Sequence, residues 1–197
     1  GYKNSTMNTT NDKKIDMKFL IVTGLILLAV ISRMIPHEYN LSPFGAIGLF
    51  GAAWFSKKWQ AFVIPMAATF LSDLYLNNVV YKSLNPEFTV FYQGAYWQYI
   101  AYIAIIAVGF IIFKSKVTAP KVFAGAVSAT VIFFLVSNFG TWVSMNMYPK
   151  TFTGLMTCYE MALPFVKGTL LGDLVYSGVL FGAYALIRRN IPSLRFA

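Results

Sequence analysis

The sequence contains six long apolar segments, at residues 18–35, 41–55, 59–76, 93–113, 120–136 and 164–187. An α-helix needs about 20 residues to cross the hydrocarbon core of a bilayer. We therefore expect an all-α polytopic membrane protein with six transmembrane helices. The second segment is short for a span, so we expect that helix either to be little tilted or to be surrounded by protein instead of lipid.

The composition agrees with a membrane protein. Apolar residues make up 57% of the chain and charged residues only 12%, and the mean hydropathy is +0.61. Soluble domains carry about 25% charged residues, so this composition excludes a disordered chain, a nucleic-acid-binding domain and most soluble enzymes. The lipid bilayer is the expected partner, and no nucleic acid is expected. A single cysteine, Cys158, excludes an internal disulfide and any CxxC site.

The net charge of +9 arises from basic residues in alternate connections. They precede the first segment, separate the second from the third and the fourth from the fifth, and follow the sixth. The positive-inside rule then predicts a multi-pass membrane protein with both termini in the cytoplasm. We expect residues 1–17 to form a flexible cytoplasmic tail, residues 18–190 the six-helix domain, and residues 191–197 a second cytoplasmic tail.

Apart from Lys18 and Lys121 at the very ends of their segments, four charged residues lie within the predicted spans: Arg33, Asp73, Lys167 and Asp173. Such groups are costly in hydrocarbon and usually face the interior of a bundle. Arg33 and Asp73 both lie near the outer ends of their helices, so we expect them to form an ion pair. Asp173 lies about 14 Å below the start of its segment. It must be protonated, paired with a cation, or reached by a water-filled cavity from outside, and we favour the cavity floor or a protonated hydrogen-bond donor.

Asp73 and Asp173 each belong to a polar stripe with a four-residue repeat. The stripes are Thr69, Asp73 and Asn77, and Thr169, Asp173 and Ser177. This spacing places each set on one face of a helix. The stripes are interpreted either as hydrogen-bonding contacts between packed helices or as part of a solute site.

Long connections at residues 77–92 and 137–163 are predicted on the outer side, where binding residues tend to lie. Their aromatic side chains form either an interfacial belt or a ligand pocket. The candidate ligand-binding residues are Arg33, His37, Asn40, Asp73, Asn138, Trp142, Tyr159, Lys167 and Asp173. With one histidine and no nucleophile or phosphate-binding motif, the sequence predicts no catalytic residues, no metal centre and no cofactor.

Small residues recur in two of the segments. Gly45, Gly48 and Gly51 follow each other at intervals of three, and the sixth segment contains Gly168-x-x-x-Gly172 and Gly178-x-x-x-Gly182. Such motifs allow helix backbones to approach closely. They indicate either packing inside the bundle or a docking face for other membrane subunits.

Several motifs resemble an uncharacterised bacterial membrane family related to the S components of energy-coupling-factor (ECF) vitamin transporters. The motifs are Arg33-Met-Ile-Pro-His37-x-x-Asn40-x-Ser-Pro43, Ala46 to Ala52, Ser72-Asp73, Tyr148-Pro-x-Thr-x-x-Gly154-Leu-x-x-Cys158-Tyr159 and Pro164-Phe-x-x-Gly168-Thr169 to Asp173. The resemblance covers nearly the whole chain after residue 18.

The resemblance implies an S-component-like bundle in the bacterial inner membrane. Such a protein would bind a vitamin-like molecule or a metal ion on its outer face for uptake. In S components, a small-xxx-small stripe on the first helix docks the coupling subunit. Here the first helix offers only Gly24 and Ala29, five residues apart, which favours a protein that acts alone. The alternative function is a non-catalytic accessory subunit of a larger membrane complex, docked through the glycine-rich helices.

Overall fold

The computed structural model describes residues 16–35, 41–83, 87–191 and 194. This part of the chain forms six α-helices and no strand, which confirms the all-α expectation. The helices are α1 (Met17–Ser32), α2 (Phe44–Trp54), α3 (Lys58–Tyr75), α4 (Ala95–Ile112), α5 (Ala119–Ser144) and α6 (Phe152–Asn190), and a π-helical turn (Leu76–Val80) follows α3. The candidate residues His37 and Asn40 lie outside the described residues.

The helix ends follow the local sequence. The Asp16 carboxylate accepts a hydrogen bond from the Phe19 amide at the start of α1 (3.1 Å), and the Thr151 hydroxyl accepts one from the Gly154 amide at the start of α6 (3.1 Å). These side chains satisfy amides that have no partner within the helix. Gly94 precedes α4 with a φ of 85°, a left-handed conformation that glycine adopts without strain.

The short helix α2 lies at the centre of the bundle. Every residue from Phe44 to Ala52 is buried, and α2 contacts each of the other five helices. The expectation that the second segment is surrounded by protein is therefore confirmed. The glycines allow this arrangement, because a Cβ atom at Gly48 would lie 3.1 Å from Ile106 of α4 and one at Gly51 would lie 3.3 Å from Pro65 of α3.

Successive helices run in opposite directions, which gives the bundle two distinct ends. Contacts such as Phe19 with Phe55 and Phe113 with Phe181 join the start of α1 to the end of α2, and the end of α4 to α6. We call this the basic end, because Lys57, Lys58 and the basic residues of the α4–α5 connection and the last turn of α6 lie there. The opposite end, with the connections α1–α2, α3–α4 and α5–α6, is the loop end.

Four helices are long and apolar enough to cross a membrane: α3 with its π-helical turn, α4, α5 and α6. The other two are shorter, with 16 residues in α1 and 11 in α2. A helix of 11 residues is about 16 Å long, roughly half the hydrocarbon thickness. The chain is thus a helical membrane bundle, in which α2 is too short to cross the bilayer as a helix.

The predicted outer loop at residues 137–163 is wrong. Helix α5 continues to Ser144 and α6 begins at Phe152, so only seven residues connect them. The polar side chains that lowered the hydropathy here are compatible with a helix, because Ser137, Asn138 and Thr141 each donate a hydrogen bond to the carbonyl four residues earlier. The 39 residues of α6 make it about 58 Å long, so α5 and α6 form a hairpin at the loop end.

Candidate functional site

Arg33 and Asp73 form the expected ion pair at the loop end. The Arg33 Nη1 and Asp73 Oδ1 atoms are 2.9 Å apart, and both side chains are largely buried. Arg33 also donates a hydrogen bond to the Ser72 hydroxyl, and its guanidinium carbon lies 4.0 Å from the centre of the Phe44 ring at the start of α2. The pair therefore joins α1 and α3 over the first residue of the central helix.

Two tyrosines extend this ion pair towards α4. The Tyr99 hydroxyl donates a hydrogen bond to Asp73 Oδ2 (2.9 Å). Tyr92 lies in the connection before α4, near both charged groups. Burial of its hydroxyl and, to a smaller extent, the negative charge of Asp73 raise the pKa of Tyr92 to about 12, and the positive charge of Arg33 opposes this increase. The Tyr92 hydroxyl therefore remains protonated at neutral pH.

Asp173 of α6 lies on the other side of the first turn of α2. It is only 3% exposed, and the Thr130 hydroxyl of α5 is its hydrogen-bond partner (2.6 Å). Within the described residues, no basic side chain pairs with this carboxyl group. A Cβ atom at Gly45 would overlap the Asp173 carboxyl group, so α2 can approach α6 here only because residue 45 is glycine.

The hydrogen bonds of Thr130 bear on the protonation of Asp173. The Thr130 hydroxyl also lies 3.2 Å from the Ala126 carbonyl, four residues earlier in α5. A threonine hydroxyl has one proton. Thr130 therefore either shares this proton between the Asp173 carboxyl group and the Ala126 carbonyl, or donates it to Ala126 and accepts a proton from a neutral Asp173. The second arrangement corresponds to the protonated donor that we favour as one of the two alternatives for Asp173.

Asn138, Trp142 and Tyr159 are not brought together with these acidic residues. Their hydrogen bonds all lie within the α5–α6 hairpin: Asn138 donates to the Phe134 carbonyl, Trp142 to the Pro149 carbonyl and Tyr159 to the Leu135 carbonyl. These contacts stabilise the hairpin. Lys167 lies on an exposed face of α6.

Sequence reasoning missed several residues that shape the site. Tyr99 and Thr130 bind the two carboxyl groups, but each is one of several residues with a hydroxyl group in its helix. Asn78, the neighbour of the stripe residue Asn77, joins the π-helical turn to the α3–α4 connection through hydrogen bonds of 2.7 and 2.8 Å with the backbone of Thr89.

A cleft of about 840 Å³ opens between α5 and α6 at the basic end, far from the ion pair. The first turns of α5 form one wall, and residues 174–189 of α6 form the other, with Trp54 between them. Leu174 lies at its inner end, and Ser177 follows one helical turn nearer the rim. The Asp173 carboxyl group itself does not line this cleft, so Asp173 is not its floor.

A family model described as "Family of unknown function (DUF6580)" matches residues 13–194. The chain belongs to this family. No curated protein and no solved structure matches the chain. The matched range includes Asp73, Asp173, the α5–α6 hairpin and the cleft.

Proposed function

We propose that this member of the family is a solute-binding protein of the bacterial inner membrane that takes up a vitamin-like small molecule or an ion from the loop end. The proposal extends the resemblance of the sequence to ECF S components, whose ligands bind at the outer ends of the helices. It involves no catalysis and no cofactor.

The observation that carries the proposal is Asp173. Contacts between packed helices need only a hydroxyl or an amide, whereas a carboxyl group inside a membrane bundle adds a cost whenever it ionises. With Thr130 as its partner and no basic neighbour among the described residues, Asp173 has no evident structural need for its acidity. A group of this kind is expected to exchange a proton or to meet a cation or a polar solute.

The first turn of α2 supports a site at this position. Arg33 packs on Phe44 and Asp173 packs on Gly45, so the ion pair and the unpaired carboxyl group both adjoin one helix start. The start of a helix carries a partial positive charge and amides without partners, which favour polar ligands. We place the solute between the loop end and this turn, adjoining the α1–α2 connection that contains His37 and Asn40.

The test is small-molecule mass spectrometry on the protein purified in mild detergent. We expect about one ligand per chain in the wild type and at least a tenfold lower occupancy in Asp173→Asn. Glu160→Gln is the matched control, because it makes the same chemical change at an exposed position of α6 and should retain the ligand. A ligand that Asp173→Asn retains fully would contradict the assignment of the site, and absence of any ligand under these conditions would contradict the function.

The orientation is tested by cysteine labelling in a Cys158→Ala background. An impermeant reagent applied to whole cells should label Asn85→Cys in the α3–α4 connection and leave Lys116→Cys in the α4–α5 connection unlabelled. The reverse result would place the basic end outside, against the positive-inside rule, and would overturn uptake from the loop end.

The alternative function, an accessory subunit, draws support from the open glycines of α6. No atom lies within 4 Å of where a Cβ would stand at Gly178 or Gly182. The same purification distinguishes the two functions, because an accessory subunit should carry stoichiometric partner chains and no small ligand.

A further inference from the structure

The cleft at the basic end has the size and position of a membrane lipid site. Its volume of about 840 Å³ lies within the range of about 300–1,000 Å³ that ligand pockets occupy. Gly178 and Gly182 form its α6 wall, and their open sides provide part of its width.

The depth of the cleft corresponds to one leaflet. Leu174 at its inner end and Arg189 at its rim are fifteen residues apart on α6, which is about 22 Å along the helix. Half of a bilayer, with its headgroup region included, measures about 20–22 Å. The cleft therefore extends from the headgroup level to the middle of the membrane.

The rim of the cleft is basic, and the rest of its lining is mainly apolar. Arg188 and Arg189 in the last turn of α6 line this rim. The guanidinium carbon of Arg188 lies 5.5 Å from the centre of the Trp54 ring. Tryptophan is enriched at the level of the headgroups, and basic pockets between helices bind anionic headgroups. The charge of the rim thus complements a phosphate, and the apolar walls complement an acyl chain.

We infer that this cleft binds an anionic phospholipid of the leaflet at the basic end, with the phosphate at Arg188 and Arg189 and an acyl chain along Gly178 and Gly182. A transmembrane helix of a partner would need a groove along the full thickness of the membrane. Here α5 and α6 close on each other beyond Leu174, where Thr130 contacts Asp173. The inference is independent of the proposed solute site.

The experiment measures lipid retention by native mass spectrometry. Full-length protein is equilibrated with vesicles of phosphatidylglycerol and phosphatidylcholine with identical acyl chains, then transferred to mild detergent. The wild type should retain about one phosphatidylglycerol per chain in preference to phosphatidylcholine. Each basic residue near an anionic surface contributes about fivefold or more in affinity, so Arg188→Gln with Arg189→Gln should lower the preference about 30-fold. Lys57→Gln with Lys58→Gln, at the same end but outside the cleft lining, should leave it unchanged.

A second variant tests the apolar part of the site without changing charge. Gly178→Leu should fill the cleft and lower retention of both lipids at least tenfold. Gly24→Leu is the matched control, because a side chain at Gly24 of α1 also meets open space but lies outside the cleft lining, and retention should stay at the wild-type level. Thermal unfolding of each variant separates lost binding from lost folding.

Three outcomes would overturn the inference: equal retention of the two lipids by the wild type, retention that the double arginine variant leaves unchanged, or full retention by Gly178→Leu. A copurifying protein chain that excludes phosphatidylglycerol from the wild type would also overturn it, and would assign the cleft to a subunit interface.

Discussion

Asp73 and Asp173 occur in similar sequence patterns, yet their surroundings in the structure differ. Asp73 contacts Arg33 at 2.9 Å and accepts a further hydrogen bond from Tyr99. Asp173 lies against a glycine and has Thr130 as its hydrogen-bond partner. One acidic residue has a counter-ion, and the other has a hydroxyl partner and no basic partner among the described residues.

The difference shows why a stripe of polar residues does not by itself assign a role. Asp73 joins three helices at the loop end through α1, α3 and α4, so the bundle depends on its charge. Asp173 is surrounded by α2, α5 and α6 and needs only its shape and its hydrogen bond. No ion pair among the described residues uses the acidity of Asp173, whereas the acidity of Asp73 is used in its pair with Arg33.

The largest effect is expected at the ion pair. Asp73→Asn leaves the buried Arg33 guanidinium without its counter-ion and should lower the free energy of unfolding by about 3–5 kcal/mol. Arg33→Gln should cost a similar amount. Unfolding in detergent, followed by circular dichroism, measures both losses.

The double variant Arg33→Gln with Asp73→Asn decides whether the pair acts as a unit. Removing both partners avoids an isolated buried charge, so the double variant should be more stable than either single variant. If the two losses simply add, Asp73 and Arg33 act independently, and the contrast with Asp173 fails.

A smaller effect is expected at the contact between α2 and α6. Gly45→Ala places a methyl group against the Asp173 carboxyl group and 2.9 Å from Ala129 Cβ. Overpacking of this kind costs about 1–3 kcal/mol. Gly24→Ala, where the new methyl group meets open space, should instead leave stability unchanged or raise it by up to about 1 kcal/mol. Equal effects of the two substitutions in thermal unfolding would mean that α2 does not approach Asp173 closely.

Much of the fold could be predicted from hydropathy. The six apolar segments correspond to the six helices. The short second segment is buried in protein, which was one of the two alternatives that its length predicted. The hairpin formed by α5 and α6 was missed because hydropathy reports lipid contact, not helix formation. Asn138 and Thr141 lower the hydropathy, but their hydrogen bonds to helix carbonyls fit an α-helix well.

The candidate site was predicted in part. The Arg33–Asp73 pair followed from two charges at the same depth in the membrane. The separation of Asn138, Trp142 and Tyr159 from that pair could not be predicted, because it depends on how α5 and α6 extend at the loop end. The hydrogen-bond partner of Asp173 could not be predicted either, because α5 contains several residues with hydroxyl groups and only the three-dimensional packing brings Thr130 to Asp173.

The smallest effect on stability is expected at Asp173 itself. Asparagine has nearly the shape of a protonated aspartic acid, and its amide can donate to Thr130 as the neutral acid does. No cation of the described residues loses a partner, so Asp173→Asn should change the free energy of unfolding by less than about 1 kcal/mol. A loss as large as that of Asp73→Asn would show that Asp173 is an ion with a counter-ion outside the described residues. The two acidic residues would then be equivalent, and Asp173 would have a structural role.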